Sequence, residues 1–205
     1  MYSETRYSDY DLIARQYNEN WVPSKGQKFL PSLDKLILQY LPTEGHILDL
    51  CCGTGQTSQY LLGKGYQVTC LDGSEEMLSY ARKNAPAGQC VLDDARFFKL
   101  SPSFHGVISM GALAHILTLG ELENVFRNVY DSLLENGLFV FDLYLKEVSQ
   151  ASLNGNTILH FFKQALSRVI PGVFNTKAGP LAWDGSFRQG AIENDFVYAS
   201  RWTYD

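Results

Sequence analysis

The chain has 205 residues, 45% hydrophobic and 19% charged, a composition that suits one globular domain with a proper core. Its net charge of −5 argues against broad electrostatic attraction to nucleic acid or to an anionic membrane surface. No apolar run approaches the roughly 18 residues of a spanning helix and no signal-peptide pattern opens the chain, so a cytoplasmic protein is expected.

Residues 9–18 predict a short helix with Tyr10, Ile13, Ala14 and Tyr17 along one side. The stretch from Tyr17 to Lys28 is polar and aromatic, and Pro23 and Gly26 make it a loop. A clearer helix begins at Pro31, with Leu33, Leu36, Ile37, Tyr40 and Leu41 at helical spacing, and Pro42 stops it. The first strand is His46–Cys51, followed by a helix from Thr57 to Leu62 that Gly63 and Gly65 end. Gln67–Leu71 reads as the second strand and closes at Asp72. Ser74 can cap the next helix, which has Glu75 and Glu76 in its first turn and Arg82 and Lys83 in its last. Cys90–Leu92 and Gly106–Met110 are strands three and four.

Thr118 and Glu121 have the spacing of a capping box. The helix they open would bury Leu122, Val125, Phe126, Val129 and Leu133, and Asn136-Gly137 would end it. Leu138–Phe141 is strand five, closing at Asp142. Apolar strands alternating with helices call for an α/β fold with a doubly wound, mainly parallel sheet. A further helix is expected at Thr157–Val169, then a turn-rich stretch over 171–195, then a strand from Phe196 to Tyr204. Aromatic residues are dense here, so residues 178–204 predict antiparallel strands forming a C-terminal β-rich lid over the carboxyl edge of the sheet. The expected organisation is a core over 1–145 and a substrate-side segment of the same domain over 146–205. An unpaired edge at the final strand would invite a homodimer.

The cysteines Cys51, Cys52, Cys70 and Cys90 all fall in or beside these strands. Neighbours Cys51 and Cys52 do not suit an ordinary disulfide, and no metal-ligand spacing is present, so reduced core thiols and no metal are expected.

The centre of the chain is the run Ile47-Leu48-Asp49-Leu50-Cys51-Cys52-Gly53-Thr54-Gly55-Gln56-Thr57. An apolar strand ends in a carboxylate, a glycine turn follows, and a helix then points its free N–H groups at whatever occupies the crevice. Gly53 and Gly55 permit a close backbone approach to a ligand. With Asp49 before the turn and Asp72 closing the next strand, the pattern is that of a nucleotide-binding unit.

Together with Gly65–Ser74, Met77-Leu78, the Asp94-Ala95-Arg96 run and the strand Gly137–Asp142, this stretch resembles the class I S-adenosylmethionine-dependent methyltransferases over roughly residues 9–145. Cys51 stands where the family motif has its first glycine. The resemblance implies a Rossmann-like fold, S-adenosylmethionine as cofactor and a small-molecule methyl acceptor. Asp49, Cys51, Gly53 and Gly55 would surround its methionine part, Asp72 its ribose hydroxyls. Gly73 and Met77 would pack on the adenine, Asp94 and Ala95 would hydrogen-bond its edge, and Ser109 and Gly111 would line the sulfonium side.

Alternatives stay open at single positions. Asp49 could cap the helix after the turn, Asp72 could be a turn residue and Met77 ordinary core. Asp94 is preferred to Asp93 because it precedes Ala95. His115, after strand four, is the candidate general base, against a histidine that merely starts a helix. Tyr10, Tyr17 and Trp21 could fold over the site or simply pack. Two other functions compete: a cofactor-binding protein without its own catalysis, and a nicotinamide-dependent oxidoreductase. The last would want a third glycine where Ser58 stands.

Overall fold

The computed structural model describes residues 8–20 and 30–143, and the backbone of 196–200. The helix expected at Thr157–Val169 and the stretch 171–195 lie outside these residues. Two short helical turns, α1 (Ser8–Asp11) and α2 (Ala14–Gln16), precede α3 (Leu30–Leu36) and a 3-10 turn over Leu38–Tyr40. Then β1 (His46–Leu50), α4 (Gln56–Gly63), β2 (Gln67–Asp72), α5 (Glu75–Asn84), β3 (Gln89–Leu92), β4 (Phe104–Ser109), α6 (Leu119–Ser132), β5 (Leu133–Leu143) and β6 (Phe196–Ser200) follow in order.

The sheet runs β3-β2-β1-β4-β5-β6 and is parallel except for β6. Chain order reverses direction between β1 and β4, and such a switch point opens a crevice at the carboxyl ends of its strands. Both faces are covered, which is why the strands read as nearly continuous apolar runs. On one face Leu48, Leu50, Leu71, Val107, Phe139 and Phe141 pack with Leu122, Val125, Phe126 and Val129 of α6. On the other, Ile47, Val68, Cys70, Ile108 and Val140 pack with residues of α3, α4 and α5, among them Leu33, Leu61 and Leu78.

Local chemistry sets the helix starts. Ser74 Oγ accepts the Met77 N–H at 3.1 Å, capping α5. Thr118 Oγ1 accepts the Glu121 N–H at 3.2 Å and donates to the Glu121 carboxylate at 3.0 Å, capping α6.

Three expectations are corrected. The N-terminal segment is two turns broken at Leu12–Ile13, not one helix. Helix α6 stops at Ser132, where Leu133 already pairs with Phe104. Asn136-Gly137 instead accompanies an irregularity inside β5, with Asn136 at φ 62° and a register shift between Phe104 and Gly106. The third concerns the lid. Phe196–Ser200 lies antiparallel beside β5, from Phe139 opposite Ser200 to Leu143 opposite Phe196, and so extends the main sheet. One edge of β5 is taken by β4, and its other row of N–H and C=O groups needs a partner.

Candidate functional site

Past Leu50 the backbone turns left-handed at Cys51 (φ 60°), Gly53 (φ 55°) and Gly55 (φ 86°). A side chain at such a position costs about 1–2 kcal/mol, which explains why a glycine would suit the slot Cys51 fills. The two glycines serve different ends. A β-carbon on Gly55 would sit 2.9 Å from the Ala81 Cα, so Gly55 lets α5 approach the turn closely. Among the described residues, a β-carbon on Gly53 would meet only the Tyr17 ring, at 3.6 Å. Gly53 is the one that opens toward the crevice.

Carboxylates stand at the ends of three strands. Asp49 is 2% exposed and accepts the Ser58 hydroxyl, from the first turn of α4, at 2.6 Å. It thus makes helix-start contacts, the structural alternative read from the sequence. Burial pushes its carboxyl up to about 7, against the hydrogen bond from Ser58. Asp72 accepts the Gly53 N–H at 2.8 Å and the Ser74 N–H at 2.9 Å, so it organises both the glycine turn and the start of α5. Burial raises its carboxyl above the ordinary value, and these backbone donors oppose the shift. Asp142, at the end of β5, accepts the Gly111 N–H at 2.5 Å and fixes the left-handed turn after β4 (Gly111 φ 72°).

Between these ends, Ser109 is fully buried and its hydroxyl has no hydrogen-bond partner among the described residues. A buried hydroxyl normally finds one, so this atom is suited to a ligand group. Met77 is buried in the first turn of α5. Asp94 and Ala95 are both buried after β3. The Asp94 carboxylate faces Arg96, which bonds both its oxygens and reaches Glu121 of α6 at 2.8 Å. Those bonds hold the Arg96 guanidinium well above its ordinary range. Any contact of Asp94 with adenine must therefore use its remaining lone pairs.

The N-terminal segment crosses this region. The Asp11 carboxylate accepts the Ser74 hydroxyl and, at 3.2 Å, the Glu76 N–H, at the start of α5. Asn18 Oδ1 accepts from Gln56 at 3.3 Å and from Asn84 at 2.8 Å, spanning α4 and α5. Held this way, the Tyr17 ring rests against Gly53. Burial pushes its hydroxyl up to about 12, with Tyr10, Asp72, Asp142 and Asp49 adding to the shift. The Tyr10 hydroxyl and His115 Nε2 share a hydrogen bond of 3.0 Å, their rings edge-to-face. Burial, then Asp72 and Cys51, raise the Tyr10 hydroxyl. Tyr17 lies against the Gly53 turn and Tyr10 reaches His115, while Trp21 lies outside the described residues.

Asp49 and Asp72 thus stand near the carboxyl ends of β1 and β2, Ser109 at the end of β4, and Gly53 and Gly111 in the turns that follow β1 and β4. Sequence reasoning did not assign Asp142, Asp11 or Asn18. Asp142 carried a usable signal, since it ends strand five as Asp49 and Asp72 mark the ends of the first two. Nothing local marks Asp11 and Asn18, whose partners are far along the chain. A crevice lined by carboxylates, a backbone turn and an unpartnered hydroxyl suits a cationic ligand with donor groups.

Residues 47–137 match the family model described as a methyltransferase domain. YqeM of Bacillus subtilis (strain 168), provisionally named a methyltransferase, is 36% identical over 115 residues, 54% of this chain and 47% of that protein. The dTDP-3-amino-3,4,6-trideoxy-alpha-D-glucopyranose N,N-dimethyltransferase of Streptomyces venezuelae is 29% identical over 108 residues, 52% of this chain and 46% of that protein. The chain spans about half the length of the curated relatives it matches. The fold is that of the TehB-like SAM-dependent methyltransferase from Corynebacterium glutamicum, with TM-score 0.66 and 20% identity over 96% of this chain and 99% of that one.

Proposed function

We propose that residues 47–137, which match the methyltransferase-domain model, carry a class I S-adenosylmethionine-dependent methyltransferase domain, and that the protein methylates a small-molecule amine. The observation that carries the reading is the Gly53 N–H held by Asp72 beside the switch point between β1 and β4. It fixes a turn and an anionic acceptor where such sheets bind ligands. The cofactor, when bound, supplies an already activated methyl group on a sulfonium.

The chain's residues then have four tasks. Asp72 accepts the ribose hydroxyls, its plane set by the Gly53 and Ser74 N–H groups. Gly73, Met77, Asp94 and Ala95 receive the adenine. The Gly53 turn, with Asp49 and Cys51 behind it, receives the methionine part, and Ser109 and Gly111 face the sulfonium. Tyr10, Tyr17 and His115 exclude water and orient the acceptor, which must meet the methyl in line.

An amine acceptor is supported by the carboxylates of Asp72 and Asp142 near Tyr17, and by the amino-sugar N,N-dimethyltransferase among the relatives. An amine attacks only when deprotonated, and His115 Nε2, bonded to Tyr10, is the group set to hold that proton. Calorimetry with S-adenosylhomocysteine, followed by transfer of labelled methyl to matched amino and hydroxy sugars, tests both halves. Binding with transfer to amines only is expected. Transfer to hydroxyls alone would refute the amine, and binding without transfer would leave a cofactor-binding domain.

A further inference from the structure

Asp49, Cys70 and Cys90 form one row across three neighbouring strands. Asp49 is level with Cys70 in the β1–β2 register, and Cys70 is level with Cys90 in the β2–β3 register. Level residues of parallel strands project from the same face. Ser58 of α4 lies over this row, donating its hydroxyl to Asp49 at 2.6 Å and accepting the Cys70 thiol at 3.0 Å. No disulfide joins Cys70 and Cys90, and all four cysteines are free. Neighbouring strands stand about 4.8 Å apart. That lies within the Cα separation of about 4.4–6.8 Å that a disulfide spans.

The two thiols differ in a useful way. Cys70 is buried, while Cys90 is partly exposed on β3, the edge strand of the sheet. Cys90 thus stands between Cys70 and the outer edge of the sheet.

We propose that Cys70 and Cys90 are a peroxide-oxidisable pair, and that their disulfide withdraws Cys70 from Ser58 and loosens the Asp49 side of the glycine turn. The Cys70 thiolate attacks one oxygen of hydrogen peroxide arriving beside Cys90. The O–O bond breaks, and the departing hydroxide takes a proton and leaves as water. The Cys90 sulfur then attacks the resulting sulfenic acid. The S–S bond forms, the S–O bond breaks, and the thiol proton leaves in a second water. Two thiols give up two electrons to one peroxide. Any effect on cofactor binding rests on the methyltransferase reading, but the disulfide does not.

The test uses the reduced full chain, treated with hydrogen peroxide, alkylated under denaturing conditions and digested without reductant. Mass spectrometry is expected to find Cys70 joined to Cys90, Cys51 and Cys52 alkylated, and the bridge removed by dithiothreitol. A bridge between Cys52 and Cys70, or sulfinic acid at Cys70 with no bridge, overturns the pair. Calorimetry on the oxidised chain is expected to show S-adenosylhomocysteine bound about fivefold more weakly, as for one lost hydrogen bond. Dithiothreitol should restore it. Unchanged affinity with the bridge in place overturns the link to the turn. Failure to bind in either redox state overturns the methyltransferase reading instead, and leaves the bridge to be judged by mass alone. Cys90→Ser, or Cys90→Ala if that variant melts early, should abolish both responses; a response that persists overturns the proposal.

Discussion

Asp72 Oδ2 accepts the backbone N–H of Gly53 at 2.8 Å, tying the end of β2 to the turn that follows β1. The bond joins residues 19 apart and makes one carboxylate serve both the fold and the proposed ribose contact. Removing it therefore acts twice.

Asp72→Ala is expected to weaken S-adenosylhomocysteine binding by about 1.5–3 kcal/mol, because ribose hydroxyls lose a charged acceptor. It should also destabilise the fold by about 1–3 kcal/mol, because buried N–H groups lose their partner. Asp72→Asn keeps an acceptor and should spare most of the stability. Calorimetry and urea unfolding of both variants separate the effects; unchanged affinity in a folded Asp72→Ala protein sinks the ribose assignment.

The two glycines of the turn should respond oppositely. Gly55→Val drives a side chain into the Ala81 backbone from a left-handed position, and should cost about 2–5 kcal/mol of stability. Gly53→Ala has room beside Tyr17 and should cost about 1–2 kcal/mol, while impairing ligand binding more than folding. Thermal unfolding with and without S-adenosylhomocysteine checks the contrast. Equal stability losses would refute it.

Arg96 is buried between Asp94 and Glu121, which are nearly as buried. Arg96→Met leaves two carboxylates without their counter-charge and should cost about 3–5 kcal/mol. The triple replacement of all three by apolar residues should recover much of that loss. Denaturant midpoints read the outcome, and a nearly neutral single variant would show that the cluster is dispensable.

The pH dependence follows from Asp49. Burial raises it to about 7 in the folded chain, whereas an unfolded aspartate titrates near 3.9. Between roughly pH 4 and 7 the folded state thus holds a proton that the unfolded state has released. Its contribution to stability is fully present below about pH 4, falls as the pH rises, and levels off above about 7. Asp72, also raised by burial, adds slope of the same sign. Urea unfolding at pH 5 and pH 8 should show the decline, and Asp49→Asn should reduce it. A slope that is the same in both proteins rules Asp49 out as its source.

His115→Ala is expected to lower kcat about 10²-fold or more if it holds the acceptor's proton. Affinity for S-adenosylhomocysteine should be unchanged. Tyr10→Phe, which removes the bond to His115, should cause a smaller loss and shift the pH–rate profile. If His115→Ala instead raises KM alone, the residue only positions the acceptor.

Much of the sheet was legible because each of its central strands is covered on both faces, so burial writes an apolar run into the sequence. The caps at Ser74 and Thr118 were legible for a local reason: donor and acceptor lie within three residues. The end of α6 was not. Leu133 continues the helical apolar period and yet begins β5, and only its pairing with Phe104 decides between them. Phe196–Ser200 was misplaced for the same reason, since strand pattern says nothing about which edge a strand joins. At the site, Asp49 and Asp72 were found by position, but what each one holds depends on Ser58 and Gly53 folding back onto them.

The N-terminal segment has a kinetic consequence. Tyr17 rests on Gly53 while Asp11 and Asn18 fasten its flanks to α4 and α5. A ligand seated against Gly53 needs that ring to move, and the ring moves only when the flanking bonds part. Association measured by stopped flow should therefore rise with ligand concentration and then reach a plateau set by the rate of that parting. Asn18→Ala, which removes one fastening, should raise the plateau.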